Sequence, residues 1–133
     1  MKKSVFCAEQ IAGEFDVVTV SRLTNFSGYF TGYSNQTVMA VNVRDTGNHT
    51  LKAFSIGNLG TLINGNGPAG ITAVKLWQDC GTNNLKIWST NDCFVCDLFW
   101  NKSYWTNDNV ACETQLGGTG KNFIVTISLS YLV

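Results

Sequence analysis

Hydrophobic and polar residues alternate along this chain in short runs, which is the pattern of β-strands. The last segment, NFIVTISLSYLV, is the clearest, because its polar residues Thr126, Ser128 and Ser130 fall on one face. Ile124 and Leu132 interrupt that polar face, so the strand is expected to be buried on both sides near its ends. The opposite face is entirely apolar and consists of Phe123, Val125, Ile127, Leu129 and Tyr131.

Six upstream runs have the same character. Each is rich in Val, Ile, Thr or aromatic residues and ends in a cluster of Asn, Asp or Gly. They read FDVVTVSRL, SGYFTGYS, TVMAVNVRD, TLKAFSIGN, ITAVKLWQD and NLKIWS. Residues 79–84 predict a hairpin turn between the last two, and a short helix is considered only near Cys7–Ala12. Strands spaced by about ten residues predict an all-β fold, an antiparallel β-sandwich or jelly-roll-like domain.

Length and composition narrow the class of protein. The 133 residues predict a single β domain over 1–133, with 1–30 as an N-terminal strand segment available to attach to or pack on a neighbouring subunit. Charged residues make up 14% of the chain, against a usual share of about 25%. This favours burial of uncharged surface in a large core or against further copies of the chain. The net charge of zero argues against a nucleic-acid partner.

The N-terminal apolar run, Val5–Ala8, ends at Glu9 and is shorter than a secretory signal requires. No stretch approaches the roughly 20 apolar residues of a membrane span. We therefore expect no membrane insertion, and folding either in the cytoplasm or as a piece of a longer chain.

Five cysteines raise three possibilities: a metal site, a redox site or structural residues. Cys93 and Cys96 form the only C-x-x-C pair, and residues three apart in a strand point to opposite faces, which argues against a shared zinc ion. No helix is predicted after Cys96, so a thioredoxin-like site is disfavoured. The favoured interpretation is small buried thiols kept reduced. A single disulfide between Cys80 and Cys93, across neighbouring strands, stays open as an alternative.

Catalytic chemistry has little support in the sequence. The only histidine, His49, lies in the turn DTGNHT, and neither a G-x-S-x-G elbow nor a phosphate-binding glycine loop is present. None of the nine acidic residues stands in a recognisable motif. We therefore predict a protein that is not an enzyme and needs no metal or cofactor. A polysaccharide depolymerase is the enzymatic alternative.

An aromatic and amide-rich segment is the best candidate for a binding site. Flat rings stack on the apolar faces of sugars, while amides and carboxylates hydrogen-bond the hydroxyls, so this mixture is typical of recognition sites. The loop Asn64–Pro68 is a second candidate contact. The competing interpretation is that the large rings fill the core or a subunit contact. The predicted ligand-binding residues are Trp100, Tyr104, Trp105, Asn107 and Asp108.

The order of features between Thr37 and Trp100 resembles the distal domains of bacteriophage tail fibres. In those domains a strand ends in Asp, a turn contains Gly and His, and a long loop leads to an Ile-x-x-Val-Lys-Leu type of strand followed by a short hairpin. The cysteine-rich strand departs from the pattern. The corresponding residues are Asp45, Gly47 and His49, then Ile71, Val74, Lys75 and Leu76, and finally Leu85, Ile87 and Trp88.

This resemblance implies a receptor-binding virion protein, folded in the host cytoplasm, that forms a homotrimer with other virion proteins as neighbours. Its ligand would be a polysaccharide or protein of the host cell surface, and we expect a glycan. Two alternatives stay open: a capsid decoration or fibre-attachment protein with a purely structural role, and a secreted carbohydrate-binding module held by disulfides.

Overall fold

A computed structural model of the protein describes residues 5–6, 18–25, 34–47, 49–57, 63–64, 67–68, 71–80, 87–112 and 115–129. Within these ranges the regular structure is entirely β, which confirms the predicted all-β class. The strands are β1 (Val5–Phe6), β2 (Val18–Asn25), β3 (Gln36–Asp45), β4 (Phe54–Ile56), β5 (Ile63–Asn64), β6 (Gly67–Pro68), β7 (Ile71–Gln78), β8 (Cys93–Trp100), β9 (Trp105–Asn107) and β10 (Lys121–Leu129).

Eight strands form one antiparallel sheet in the order β1-β4-β9-β8-β7-β10-β3-β2, and β5 pairs with β6 separately. The sheet curls into a half-barrel, in agreement with the predicted sandwich-like or jelly-roll-like architecture. Strand β8 links the two halves of the sheet. Its residues up to Leu98 pair with β7, whereas Phe99 and Trp100 pair with β9.

The core lies on the inner face of the curled sheet, which we define as the face that carries Phe123, Val125 and Ile127. These three side chains on β10 are fully buried, and Phe123 and Val125 lie opposite Val41 and Met39 on β3. Their period of two is the one that the sequence predicts. Further buried residues of the same core come from β4, β7, β8 and β9 and include Phe54, Ile56, Val74, Leu76, Leu98 and Trp105.

The opposite, outer face of β10 is also buried. Ile124 and Thr126 are both 0% exposed, so burial extends to the middle of the strand and not only to its ends. The Thr126 hydroxyl accepts a hydrogen bond from the Trp77 indole N–H at 2.9 Å. Because the Thr126 hydroxyl has a hydrogen-bond partner, burying it costs little free energy. Strand β10 lies in the middle of the sheet, between β3 and β7.

The turn after β3 is organised by one buried carboxylate, that of Asp45. It accepts hydrogen bonds from the backbone N–H groups of Gly47 at 2.8 Å and His49 at 3.0 Å. The backbone N–H of Asp45 donates to the carbonyl of Gly117, so this turn is tied to the one that precedes β10. The D-x-G-x-H pattern is thereby explained as a self-bonded Asp turn.

Gly120 begins the approach to β10 with φ of +80°, a conformation that side chains with a Cβ rarely adopt. An added Cβ would also lie 2.7 Å from the carbonyl oxygen of Val43. This position therefore requires glycine for both conformation and space.

The predicted strand NLKIWS is wrong over the residues that the structure describes. Residues 87–89 belong to no strand, and a turn follows over 89–92, in which Ser89 N–H donates to the Asp92 carboxylate and Asp92 N–H donates to the Ser89 carbonyl. Strand β7 pairs instead with β8, where Gln78 lies opposite Cys93. The predicted strand SGYFTGYS, the helix near Cys7–Ala12 and most of the 79–84 hairpin lie outside the described residues.

Two of the cysteines form the Cys80–Cys93 disulfide, so the favoured interpretation that all thiols are reduced is wrong for this pair. Their Cα atoms are 5.7 Å apart, within the usual range for a bridge. The register of β7 and β8 brings them together at the end of the ladder. Cys96 and Cys112 are both buried, as the packing interpretation predicts. Cys7 lies outside the described residues.

Candidate ligand-binding groove

A groove opens where strands β7 and β8 diverge. The two strands are paired from Gln78 and Cys93 as far as Val74 and Leu98, and beyond this point β8 turns to pair with β9. The gap between the diverging strands has a volume of about 280 Å³. It is lined by Ile71, Thr72, Ala73, Val74, Asp97, Leu98, Phe99, Trp100 and Trp105.

Two tryptophans form one wall of this groove. Trp100 and Trp105 are opposite each other on β8 and β9, and their ring centroids are 5.4 Å apart at an angle of 50°. Trp105 is 6% exposed and belongs to the core, whereas Trp100 is half-buried against it. Aromatic pairs at this separation attract one another, so each ring fixes the position of the other.

The turn between β8 and β9 holds the tryptophan pair in register. The side-chain oxygen of Asn101 accepts hydrogen bonds from the backbone N–H groups of Ser103 at 2.9 Å and Tyr104 at 2.7 Å. The Asn101 N–H donates to the Tyr104 carbonyl at 2.9 Å, and Lys102 takes a positive φ of +81°. The asparagine-rich sequence therefore serves the turn, as Asn and Asp do by bonding to nearby backbone.

Asp97 is the one charged residue among the described residues that line the groove. Its carboxylate lies 3.2 Å from the Lys75 ammonium, and both side chains are partly exposed. The Asp97 carbonyl accepts a hydrogen bond from the Asn107 side-chain amide at 2.8 Å. The carboxylate keeps free acceptor capacity for a ligand, because Lys75 approaches only one of its oxygens.

The indole N–H of Trp105 is buried and has no hydrogen-bond partner within the described part of the chain. An unsatisfied buried donor costs about 1–3 kcal/mol. The other groove residues beside it, Val74 and Leu98, are apolar. The described lining of the groove thus combines mostly apolar side chains with one acidic residue, a composition typical of small-molecule sites.

A second aromatic group lies on the outer face of the sheet. Trp77 contacts Trp88 at 5.2 Å and Phe94 at 5.4 Å between ring centroids. The Lys75 ammonium lies 5.0 Å from the centre of the Phe94 ring, within reach of a cation–π interaction. Phe94 is 50% exposed. This group shields the outer face of β10 and leaves one ring open to solvent.

Two of the five predicted ligand-binding residues, Trp100 and Trp105, line the groove. Trp105 is 6% exposed and packs in the core, as the competing interpretation of the large rings predicts. Tyr104 and Asp108 are exposed near the turn. The Asn107 side chain donates to the Asp97 carbonyl on β8 and accepts from the Asn109 backbone N–H. The second predicted contact, Asn64–Pro68, is described only as the short β5–β6 ladder.

Sequence reasoning missed the other wall of the groove. Ile71, Thr72 and Ala73 belong to β7, more than twenty positions away from the aromatic segment. The sequence did not indicate Asp97 as a binding residue, because it lies within the cysteine-rich strand β8. Its alternation with the buried Cys96 and Leu98 is the signal that places its side chain on the outer face.

The described residues contain no group of three or more His, Cys, Asp or Glu side chains arranged to hold a metal ion. Over the same residues, none of the structure is a helix of the length and apolarity needed to cross a membrane.

Comparison with protein families, with curated proteins and with solved structures finds no match to this chain.

Proposed function

We propose that the protein is a non-enzymatic virion protein, the receptor-binding domain of a bacteriophage tail fibre, and that it binds a host cell-surface glycan in the β7–β8 groove. The observation that carries the binding proposal is the groove itself, whose lining includes Asp97, Phe99 and Trp100. Rings offer stacking surfaces for the C–H faces of a sugar, and the carboxylate accepts hydrogen bonds from its hydroxyls.

Phe99 and Thr72 give the groove an accessible rim, because both are exposed and Phe99 is 62% exposed. An exposed phenyl ring beside a half-buried tryptophan supports binding from solvent. The deeper wall of Trp105 and Leu98 is rigid, because both belong to the core. Because the deeper wall is already rigid, the protein loses less conformational entropy when a ligand binds.

The virion part of the proposal rests on the resemblance to tail-fibre domains and on the uncharged surface. The outer face of the described sheet exposes Phe94 at 50%, and the segment before β8 exposes Ile87 at 55%. Such residues are suited to contacts between copies in a homotrimer. Light scattering on a sizing column tests this, since a monomeric particle would contradict the trimer and leave the groove proposal standing.

The glycan proposal is tested by titrating purified host surface polysaccharide into the protein and following heat or tryptophan fluorescence. Phe99→Ala removes a ring at the groove rim and should weaken binding at least tenfold. Phe94→Ala is the matched control, because it removes a phenylalanine of comparable exposure, 50% against 62%, from the same strand outside the groove. Equal affinities for the two variants, or no binding by the wild-type protein, would contradict the proposal.

A second candidate function, a secreted carbohydrate-binding module, is favoured by the Cys80–Cys93 disulfide. Structural disulfides persist in oxidising compartments and are rare in the cytosol. Alkylation of the protein in its natural host, without reduction, followed by mass spectrometry distinguishes the two settings. Free Cys80 and Cys93 in cytoplasmic protein would support assembly of a virion in the cytoplasm, whereas a complete bridge in exported protein would support secretion.

A further inference from the structure

The ladder between β7 and β8 stops before either strand ends. Val74 and Leu98 form its last pair. Two residues further along each strand, the ladder would join Thr72 to Trp100, and both of these residues still belong to their strands. They line the groove instead of pairing with each other. The groove therefore takes the place of one rung of the sheet.

Two hydrogen bonds show which way the main chain of Trp100 faces. The Asn101 N–H donates to the Tyr104 carbonyl at 2.9 Å, and the Asp97 carbonyl accepts from the Asn107 side chain at 2.8 Å. Both bonds are made on the β9 side of β8. Successive residues of a strand direct their N–H and C=O groups to opposite sides, so those of Trp100 face away from β9, towards the groove. These two groups have no partner among the described residues.

The free N–H and C=O of Trp100 narrow the class of ligand, because they offer one donor and one acceptor, side by side and without charge. One hydroxyl of a sugar can accept from the N–H, and the adjacent hydroxyl can donate to the C=O. A carboxylate only accepts, so it would place an anionic oxygen against the carbonyl oxygen. Acidic groups therefore fit this position less well than a neutral pair of hydroxyls.

An extended peptide is the other ligand that bonds to a strand edge. Here the free edge is a single residue long, because Leu98 already pairs with β7 and the chain turns at Asn101. One residue gives a peptide strand only one rung of hydrogen bonds. The short edge thus favours a small hydroxylated ring over a peptide.

We propose that the main chain of Trp100 is the polar recognition element of the groove, and that its N–H and C=O bind two adjacent hydroxyls of a neutral sugar. This inference rests on the proposed glycan-binding function and specifies its ligand as a sugar with a free vicinal diol. The volume of about 280 Å³ lies at the lower end of the roughly 300–1,000 Å³ typical of small-molecule sites, which suits one sugar residue.

Amide exchange in the wild-type protein tests the contact without any mutation. Short fragments of purified host surface polysaccharide, made by partial acid hydrolysis, are added while exchange with water is followed by ¹H–¹⁵N NMR. The Trp100 amide should exchange rapidly in the free protein and at least about tenfold more slowly at saturation. The Phe99 amide is the matched control, because it faces β9, where Phe99 pairs with Thr106, and should be protected in both states. Unchanged exchange of the Trp100 amide at saturation would overturn the inference.

Chemical removal of the diol tests the ligand side. Periodate cleaves the carbon–carbon bond between adjacent hydroxyls, and borohydride then reduces the resulting aldehydes to alcohols. Host polysaccharide treated in this way should bind at least about tenfold more weakly than mock-treated polysaccharide, as expected when a pair of hydrogen bonds is lost. Equal affinity of the two preparations would contradict recognition of a diol.

The outcomes separate this inference from the proposed function. If mock-treated polysaccharide binds but the Trp100 amide does not respond, the inference fails alone and glycan binding stands. If the polysaccharide does not bind at all, both fail. Protection of the Trp100 amide by a capped alanine tripeptide, and not by the polysaccharide fragments, would assign the edge to a peptide and overturn both.

Discussion

The carboxylate of Asp45 and the ring of His49 are in direct contact, with 2.8 Å between Oδ2 and Nδ1. Asp45 is 1% exposed, so this contact and two bonds from backbone N–H groups replace its hydration. Burial alone would raise the pKa of Asp45, but the hydrogen bonds from Gly47 and His49 outweigh it and lower the pKa below the ordinary 3.8. The charged form of Asp45 therefore stabilises the turn between β3 and β4.

Replacing Asp45 with Asn should destabilise the protein by about 1–3 kcal/mol, because an amide has one acceptor oxygen where the carboxylate uses two. Urea denaturation of both proteins measures the difference. Asp108→Asn is the control, since Asp108 is exposed, and should change stability by less than about 0.5 kcal/mol. An Asp45 variant as stable as this control would show that the turn is held by other contacts.

Acid should weaken the wild-type fold through the same group. A carboxylate whose pKa is lowered on folding contributes stability that is fully present above the ordinary value of 3.8 and is lost as the pH falls through the lowered folded pKa. Between about pH 5 and pH 2, we therefore expect the wild-type protein to lose more stability than the Asp45→Asn variant. This pH range extends from above the ordinary pKa of an Asp to the lowered range of Asp45. Parallel pH profiles of the two proteins would contradict this origin of the acid sensitivity.

Gly120→Ala should cost about 1–3 kcal/mol, because alanine is strained at φ of +80° and its Cβ would crowd the Val43 carbonyl. Gly118→Ala is the matched control, because no atom lies within 4 Å of the added Cβ. That variant should be neutral or slightly more stable. Thermal melting of both variants checks the prediction, which would fail if they melted together.

Removal of the disulfide should destabilise the protein measurably. Cys80 and Cys93 are separated by 13 positions, and closing a loop of this size contributes about 3 kcal/mol. The double variant Cys80→Ser/Cys93→Ser should therefore unfold at lower urea concentration than the oxidised wild type. The stability of the double variant should not change when a reducing agent is added. The stability of the wild type should decrease on reduction to that of the double variant. A wild-type protein that is indifferent to reductant would contradict the prediction.

Replacing the neighbouring residues Tyr104 and Trp105 with Ala should change the stability of the protein by very different amounts. Trp105→Ala should cost about 3–5 kcal/mol, as expected for a buried ring in the core. Tyr104→Ala should leave stability within about 0.5 kcal/mol, because Tyr104 is exposed at 44%. Urea denaturation of the two variants measures this contrast. A stable Trp105→Ala protein would show that the ring is dispensable for the core.

Cys96 should resist thiol reagents in the folded protein. Burial raises the pKa of its thiol to about 12, with the Asp97 charge and Cys112 adding to the effect, so almost no thiolate exists at pH 8. Ellman's reagent should label Cys96 only after the protein is unfolded. Rapid labelling of Cys96 in the native state, located by mass spectrometry, would contradict its buried position.

Periodicity in the sequence was sufficient to predict strands β2, β3, β4, β7 and β10, and with them the all-β class. The reason is local: in a strand, alternate residues share a face, so the apolar row of Phe123, Val125 and Ile127 is visible without knowledge of its partners. The aromatic segment was also found locally, although local pattern could not separate the buried Trp105 from the exposed Tyr104.

The sequence by itself determined that this chain builds β-strands with one strongly apolar face, and that Trp100 and Trp105 stand close together. Only the tertiary structure decided which strands pair. The pairing of β7 with β8 joins Cys80 to Cys93, leaves residues 87–89 of the predicted strand NLKIWS outside the sheet, and opens a groove where Val74 and Leu98 end the ladder. Strand pairing depends on contacts between distant residues, whose register and divergence no local pattern encodes.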